Sequence, residues 1–197
     1  MQGQFETICQ KIIDRLRNEL DPGLLYHNLS HTLDVIEQAE SIAKAEGIQQ
    51  GHDLELLKIG AAYHDSGFLF TYKNHEEKSC EILRKDLTGI LPKEDLEKIC
   101  GMIMATKIPQ TPHNLFEKII CDADLDYLGR NDFEPISKNL YKEFIAYGIL
   151  NGETKWDDIQ INFFEMHNYF TETAQLKRKT KKSEHLHILK ERNGRPS

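Results

Sequence analysis

Four short segments carry side chains able to ligate a metal ion: Tyr26-His27-Asn28-Leu29-Ser30-His31, the adjacent pair His64-Asp65, Asn74-His75-Glu76, and Asp122-Ala123-Asp124. The last follows the apolar run Ile119-Ile120-Cys121. Bringing acids to the end of a buried run is costly unless a cation or hydrogen bonds receive them. Imidazole nitrogen and carboxylate oxygen together suit Mn, Fe, Zn or Ni, with Mg also admissible. Two histidines and two aspartates supply four ligands, and an octahedral ion then keeps positions open for water and a phosphate oxygen. Such an ion acidifies water and polarises phosphorus, so the chemistry to expect is phosphate hydrolysis. His27 lies four residues before His31. In a helical turn their rings share a face, and an imidazole titrating near 6.5 can serve there as general acid to a leaving group.

The elements that must position these groups read as helices. Phe5, Ile8, Ile12, Leu16 and Leu20 recur at three or four residues, and Asp21-Pro22-Gly23 ends that stripe. A second helix starts near Asn28 or Ser30, either of which can cap it, and stops at Gly47. A third spans about 53–65, and further patterns cover about 75–87, 93–105, 114–128, 135–149 and 155–175. No hairpin signal, long alternating strand or internal repeat is visible. Adjacent His64 and Asp65 point about 100° apart on a helix, so they meet one ion only if the helix ends there, and Gly67 permits that. Gly60, Ala61 and Ala62 leave room for neighbouring helices to bring in His31 and Asp124.

The order His31, His64-Asp65, then an Asp at 122 or 124 resembles the HD superfamily of metal-dependent phosphohydrolases, over roughly residues 24–130. Tyr-His-Asn-x-x-His at 26–31 is similar to the matching segment of cyclic-nucleotide phosphodiesterases and related small bacterial HD proteins. The resemblance implies an all-α fold, a single compact helical bundle. It also implies His31, His64, Asp65 and Asp124 as metal ligands. Asp124 is favoured over Asp122 because Ala123-Asp124-Leu125 matches the family run. By the same likeness His27 donates the proton to the leaving oxygen, Asn28 supports it, and Asp65 holds the water or bridges to a second ion. His75 fits the first of the extra histidines of two-metal members, and is equally a candidate for substrate contact. Ala105-Thr106-Lys107 stands where another such histidine is expected. One tight divalent ion with at most a weaker second is therefore implied, and Lys107 is a candidate phosphate contact.

The expected substrate is a nucleotide or other small phosphorylated metabolite, with a tilt toward phosphodiesters. The alternative is a non-catalytic module of the same type that senses a nucleotide or docks a partner, but such a module should have lost a ligand and none is missing.

Composition sets the frame. The chain has 197 residues and a net charge of −7, which argues against a general nucleic-acid binder. Residues 171–197 carry eight Lys/Arg against three Asp/Glu, or +5, leaving −12 on residues 1–170. Residues 1–175 are accordingly expected as the catalytic domain, and 176–197 as a basic helix end and tail. The four cysteines lie far apart without a CxxC pair, as reduced thiols would, and no membrane span or signal peptide is visible. A cytoplasmic protein is expected. Phe163, Phe164, His167, Tyr169 and Phe170 are expected in the core, with base stacking by Phe163 or His167 as the sharper alternative. His52, His113, His185 and His187 are expected at the surface.

Overall fold

A computed structural model of the chain describes residues 2–151 and 155–194. Nine α-helices run in the order α1 (Gln2–Glu19), α2 (Leu29–Ala45), α3 (His52–Tyr63), α4 (His75–Leu87), α5 (Lys93–Ala105), α6 (Leu115–Asp124), α7 (Phe133–Ala146), α8 (Trp156–Met166) and α9 (Glu172–Arg192) among the described residues. Short 3-10 turns at Ser66–Leu69 and Asp126–Gly129 follow α3 and α6. Among the described residues there is no strand, and the expected all-α bundle is the fold. No helix there is long and apolar enough to cross a membrane.

Local chemistry explains the boundaries that matter to the site. Asn28 sits in extended backbone and accepts from the backbone N–H groups of Ser30 and His31, which starts α2 with His31 in its first turn. Asn114 caps α6 in the same way, accepting from Glu117 N, and the ten-residue helix then places Asp124 at its last position. Helix α3 stops at Tyr63, so His64 and Asp65 sit at its junction with the 3-10 turn, where the change of twist turns both side chains inward.

Two apolar clusters form. The first joins α1 to α6 through residues such as Ile12, Leu16, Val35, Leu57, Ile99 and Ile119. The second gathers Tyr26, from the segment before α2, with Leu125, Leu128, Phe133, Phe164 and Leu189, from in and around the second 3-10 turn and α7 to α9. Gly60 lies against Met102 of α5 and Ile120 of α6, so the small residues of α3 do admit close neighbours.

Two expectations change. The pattern over 155–175 is two helices, not one. The chain turns extended at 167–171 because Asp122 accepts from Phe170 N, Thr171 N and the Thr171 hydroxyl, after which Thr171 caps α9. The boundary expected at 175/176 falls inside α9, a 21-residue helix held to the body by Arg178, which donates twice to buried Asp126 at 2.7 Å.

Candidate metal centre

Three elements bring the predicted side chains to one point. His31 comes from the first turn of α2, His64 and Asp65 from the end of α3, and Asp124 from the end of α6. His31 Nε2 lies 3.4 Å from His64 Nε2, 3.4 Å from Asp65 Oδ2 and 3.2 Å from Asp124 Oδ1. His64 Nε2 lies 3.2 Å from Asp65 Oδ2 and 3.7 Å from Asp124 Oδ1. His31, His64 and Asp65 each offer a ligand atom within 4.8 Å of the others.

The buried polar atoms test whether a cation fits. His64 is 1% exposed, and its Nδ1–H donates to the Ala61 carbonyl at 2.8 Å. That bond fixes the ring so that Nε2 faces Asp65. In the neutral ring, Nε2 then presents a lone pair to carboxylate lone pairs, and Asp65 Oδ2 is buried without a hydrogen bond. Positive charge must lie between them. Burial alone would lower the His64 pKa, but Asp65 and Asp124 outweigh it and hold it up at about 9. Burial pushes Asp65 the other way, yet the neighbouring His64 and His75 hold its carboxyl well below the usual range. A divalent cation fits the same donors, two imidazole nitrogens and two carboxylates.

Asp122 and Asp124 separate cleanly. Asp122 is fully buried and turned away, committed to the connection between α8 and α9. Burial pushes its pKa up to about 6, against those three donors. Only Asp124 reaches the histidines.

His27 is placed beside the quartet by a residue that sequence reasoning missed. Glu143 of α7, 0% exposed, accepts from Tyr26 N at 2.7 Å, His27 N at 3.1 Å and the Tyr72 hydroxyl at 2.8 Å. Its other contact is His27 Nδ1–H, so His27 Nε2 is the nitrogen left for chemistry. The ring stacks on Phe68, centroids 4.2 Å apart. His75 stacks on the same Phe68 ring and sets Nε2 3.4 Å from Asp65 Oδ1. Asp65 thus offers one oxygen to His31 and His64 and the other to His75. Sequence carried only weak signals for Glu143, an acid on an otherwise amphipathic helix 116 residues from its partner.

The two remaining candidates are not brought to the centre. Lys107 forms an ion pair with Glu77, and Asn28 is spent on capping α2 and on the Leu25 carbonyl. Of the histidines expected at the surface, His185 is buried and donates to the Arg130 carbonyl at 2.7 Å, a correction that its place within α9 explains. His52 pairs with Asp95, and His113 and His187 are exposed. Phe164, His167 and Tyr169 are buried, as expected of core residues.

The centre opens into a cavity of about 330 Å³. His27, Asp65, His75 and Asp124 form one end, and side chains of the second 3-10 turn, α7 and α8 line the rest.

Comparison with known proteins agrees with this fold. A crystal structure of a protein from Lactobacillus plantarum, 16% identical, superposes with a TM-score of 0.66 over 98% of this chain and 97% of that one. The shared fold therefore extends through α7 to α9. A search of curated proteins returned no match. The family described as the HD domain matches residues 28–126, from the cap of α2 to just past Asp124. With half the chain matched and His31, His64, Asp65 and Asp124 all inside that span, the chain belongs to the HD domain family.

Proposed function

We propose that this protein is a metal-dependent phosphohydrolase whose ion is held by His31, His64, Asp65 and Asp124. One observation supports this above others: a buried, unpartnered Asp65 oxygen faces two imidazole nitrogens at the end of a cavity that His27 also lines. When bound, a divalent ion (Mn, Fe, Zn, Ni or Mg) supplies Lewis acidity for a phosphoryl oxygen and for water. The chain's own groups supply the rest. Asp65, through its oxygen facing His75, orients the attacking water. His27 carries the proton at Nε2 for the leaving oxygen, and Glu143 fixes its tautomer and stabilises the imidazolium. Phe68 keeps the His27 and His75 rings in register. His75 is also the group that would support a weaker second ion, or contact the phosphate. Substrates are small phosphorylated metabolites, handled without help from Lys107 or Asn28.

The test is hydrolysis of p-nitrophenyl phosphate, bis-p-nitrophenyl phosphate and a nucleotide panel by metal-stripped protein, with each divalent ion restored in turn. Turnover with at least one ion is expected. His27→Asn is expected to lower kcat by about 10²–10⁴ on substrates with poor leaving groups, and less on nitrophenyl esters, which need little protonation. If no ion restores turnover on any substrate, the hydrolase reading fails.

A further inference from the structure

The cavity that opens from the metal centre is chemically divided. One end holds His27, Asp65, His75, Glu76 and Asp124. Beyond it the walls are Leu125, Leu128, Phe133, Leu140, Phe144 and Phe163, with Trp156 also in the lining. The other polar groups include the Tyr26 and Tyr127 hydroxyls, which pair with each other, and three that are already committed. Thr106 donates to the Ile103 carbonyl at 2.8 Å. The Ser137 hydroxyl donates to Gln160 and accepts from Trp156 Nε1 at 3.1 Å, and Gln160 Nε2 donates to Asp157 at 3.2 Å. Among the described residues lining the cavity there is neither lysine nor arginine. Lys107, the nearest candidate in sequence, is spent on Glu77.

Those facts select a ligand. A triphosphate brings more negative charge than one ion at the histidine and aspartate end answers, and no lysine or arginine lines the cavity to answer the rest. A ribose would place hydroxyls against leucine and phenylalanine, with few donors or acceptors to replace water. An apolar group loses nothing there and gains from leaving water. The volume, about 330 Å³, lies within the range of small-molecule sites.

We propose that this cavity is the organic subsite of the enzyme, and that it takes an apolar alkyl or aryl group esterified to a single phosphoryl group seated at the histidine and aspartate end. The proposal rests on the metal-centre reading for the position of the phosphoryl group, but its test does not depend on turnover.

Trp156 is the chain's one tryptophan and lines the cavity, so its fluorescence reports on occupancy. The full-length protein in Mg²⁺ is titrated with octylphosphonate, phenethylphosphonate, methylphosphonate and ribose 5-phosphate, read directly or by competition against octylphosphonate. The octyl and phenethyl compounds are expected to bind at least tenfold tighter than methylphosphonate, with ribose 5-phosphate no better than methylphosphonate. Leu140→Arg, which puts a charge on the apolar wall, is expected to weaken octylphosphonate at least tenfold. Phe163→Ser is the second variant if the first does not fold. Affinities for octyl- and methylphosphonate within twofold, or tighter binding of ribose 5-phosphate than of octylphosphonate, would overturn the proposal. Tight octylphosphonate binding with no hydrolysis of octyl phosphate under any ion supports the subsite while removing the hydrolase reading. Turnover of polar phosphates with no preference for apolar groups does the reverse.

Discussion

Single side chains decide the chemistry here by the partners they are denied or given. Asp65 keeps one buried oxygen free of hydrogen bonds, whereas Asp122, two residues before Asp124, has both oxygens accepting hydrogen bonds. That difference, not proximity in sequence, separates a candidate ligand from a structural acid. His167 shows the opposite extreme. Both its ring nitrogens are buried without a partner, and burial, with Lys182 of α9 adding to it, depresses its pKa to about 3, while Asp124 of α6 opposes weakly. An unfolded histidine titrates near 6.5. Between those values the unfolded chain binds the extra proton, so stability is retained above pH 6.5 and falls as pH drops through the window, by up to about 1.4 kcal/mol per pH unit. Denaturant titrations at pH 7.0, 6.0 and 5.0 are expected to show that slope, and His167→Phe to reduce it by about one proton's worth. An unchanged slope in the variant would show that other groups carry the acid sensitivity.

Elements place those side chains, and their contacts explain how much of the site was legible beforehand. The segments that carry His31, His64-Asp65 and the acids at 122 and 124 could be singled out from sequence because each lies at a helix end with local signals: a capping Asn28, small residues in α3, an apolar run in α6; the choice of Asp124 over Asp122 came only from the family resemblance. Eight of the nine helices were foreseen at least in part, but the break between α8 and α9 was not. It depends on Asp122, 48 residues away, and an amphipathic pattern is silent about long-range acceptors. Glu143 was hidden for the same reason. Close backbone approach is equally invisible in sequence. A Cβ on Gly67 would lie 2.0 Å from the His75 carbonyl oxygen, so the first 3-10 turn can pack on α4 only with glycine there. Gly67→Ala is expected to cost about 1–3 kcal/mol in chemical denaturation and to displace His75 from Asp65. A variant of unchanged stability would mean that the turn yields without cost.

At the scale of the molecule, the site lies on the seam between two apolar clusters, one built by α1 to α6 and the other by the second 3-10 turn and α7 to α9. The first supplies the ligands and the second supplies Glu143 and most of the cavity wall. The basic stretch near the C-terminus, expected from its charge to be a solvated end, belongs to that second cluster. Arg178 pairs with buried Asp126, and Leu189 is 1% exposed. A Cβ on Gly129 would fall 2.5 Å from the Arg178 carbonyl oxygen, a measure of how closely α9 lies on the turn. Charge alone could not reveal this, because Arg178, which pairs with a buried acid, looks like its basic neighbours in composition. A chain ending at residue 175 is therefore expected to lose cooperative unfolding and to expose apolar surface to dye. Retention of a single sharp transition would show that α9 is dispensable.

The central claim is that His31, His64, Asp65 and Asp124 hold one divalent ion, and calorimetric titration of metal-stripped protein with Mn²⁺ tests it most directly. The account predicts one tight site per chain, weakened at least 100-fold in Asp65→Ala and in His64→Ala while helical content by circular dichroism is kept. A folded wild-type chain that binds no Mn²⁺, Zn²⁺ or Ni²⁺, or folded variants that bind as tightly as wild type, would contradict it.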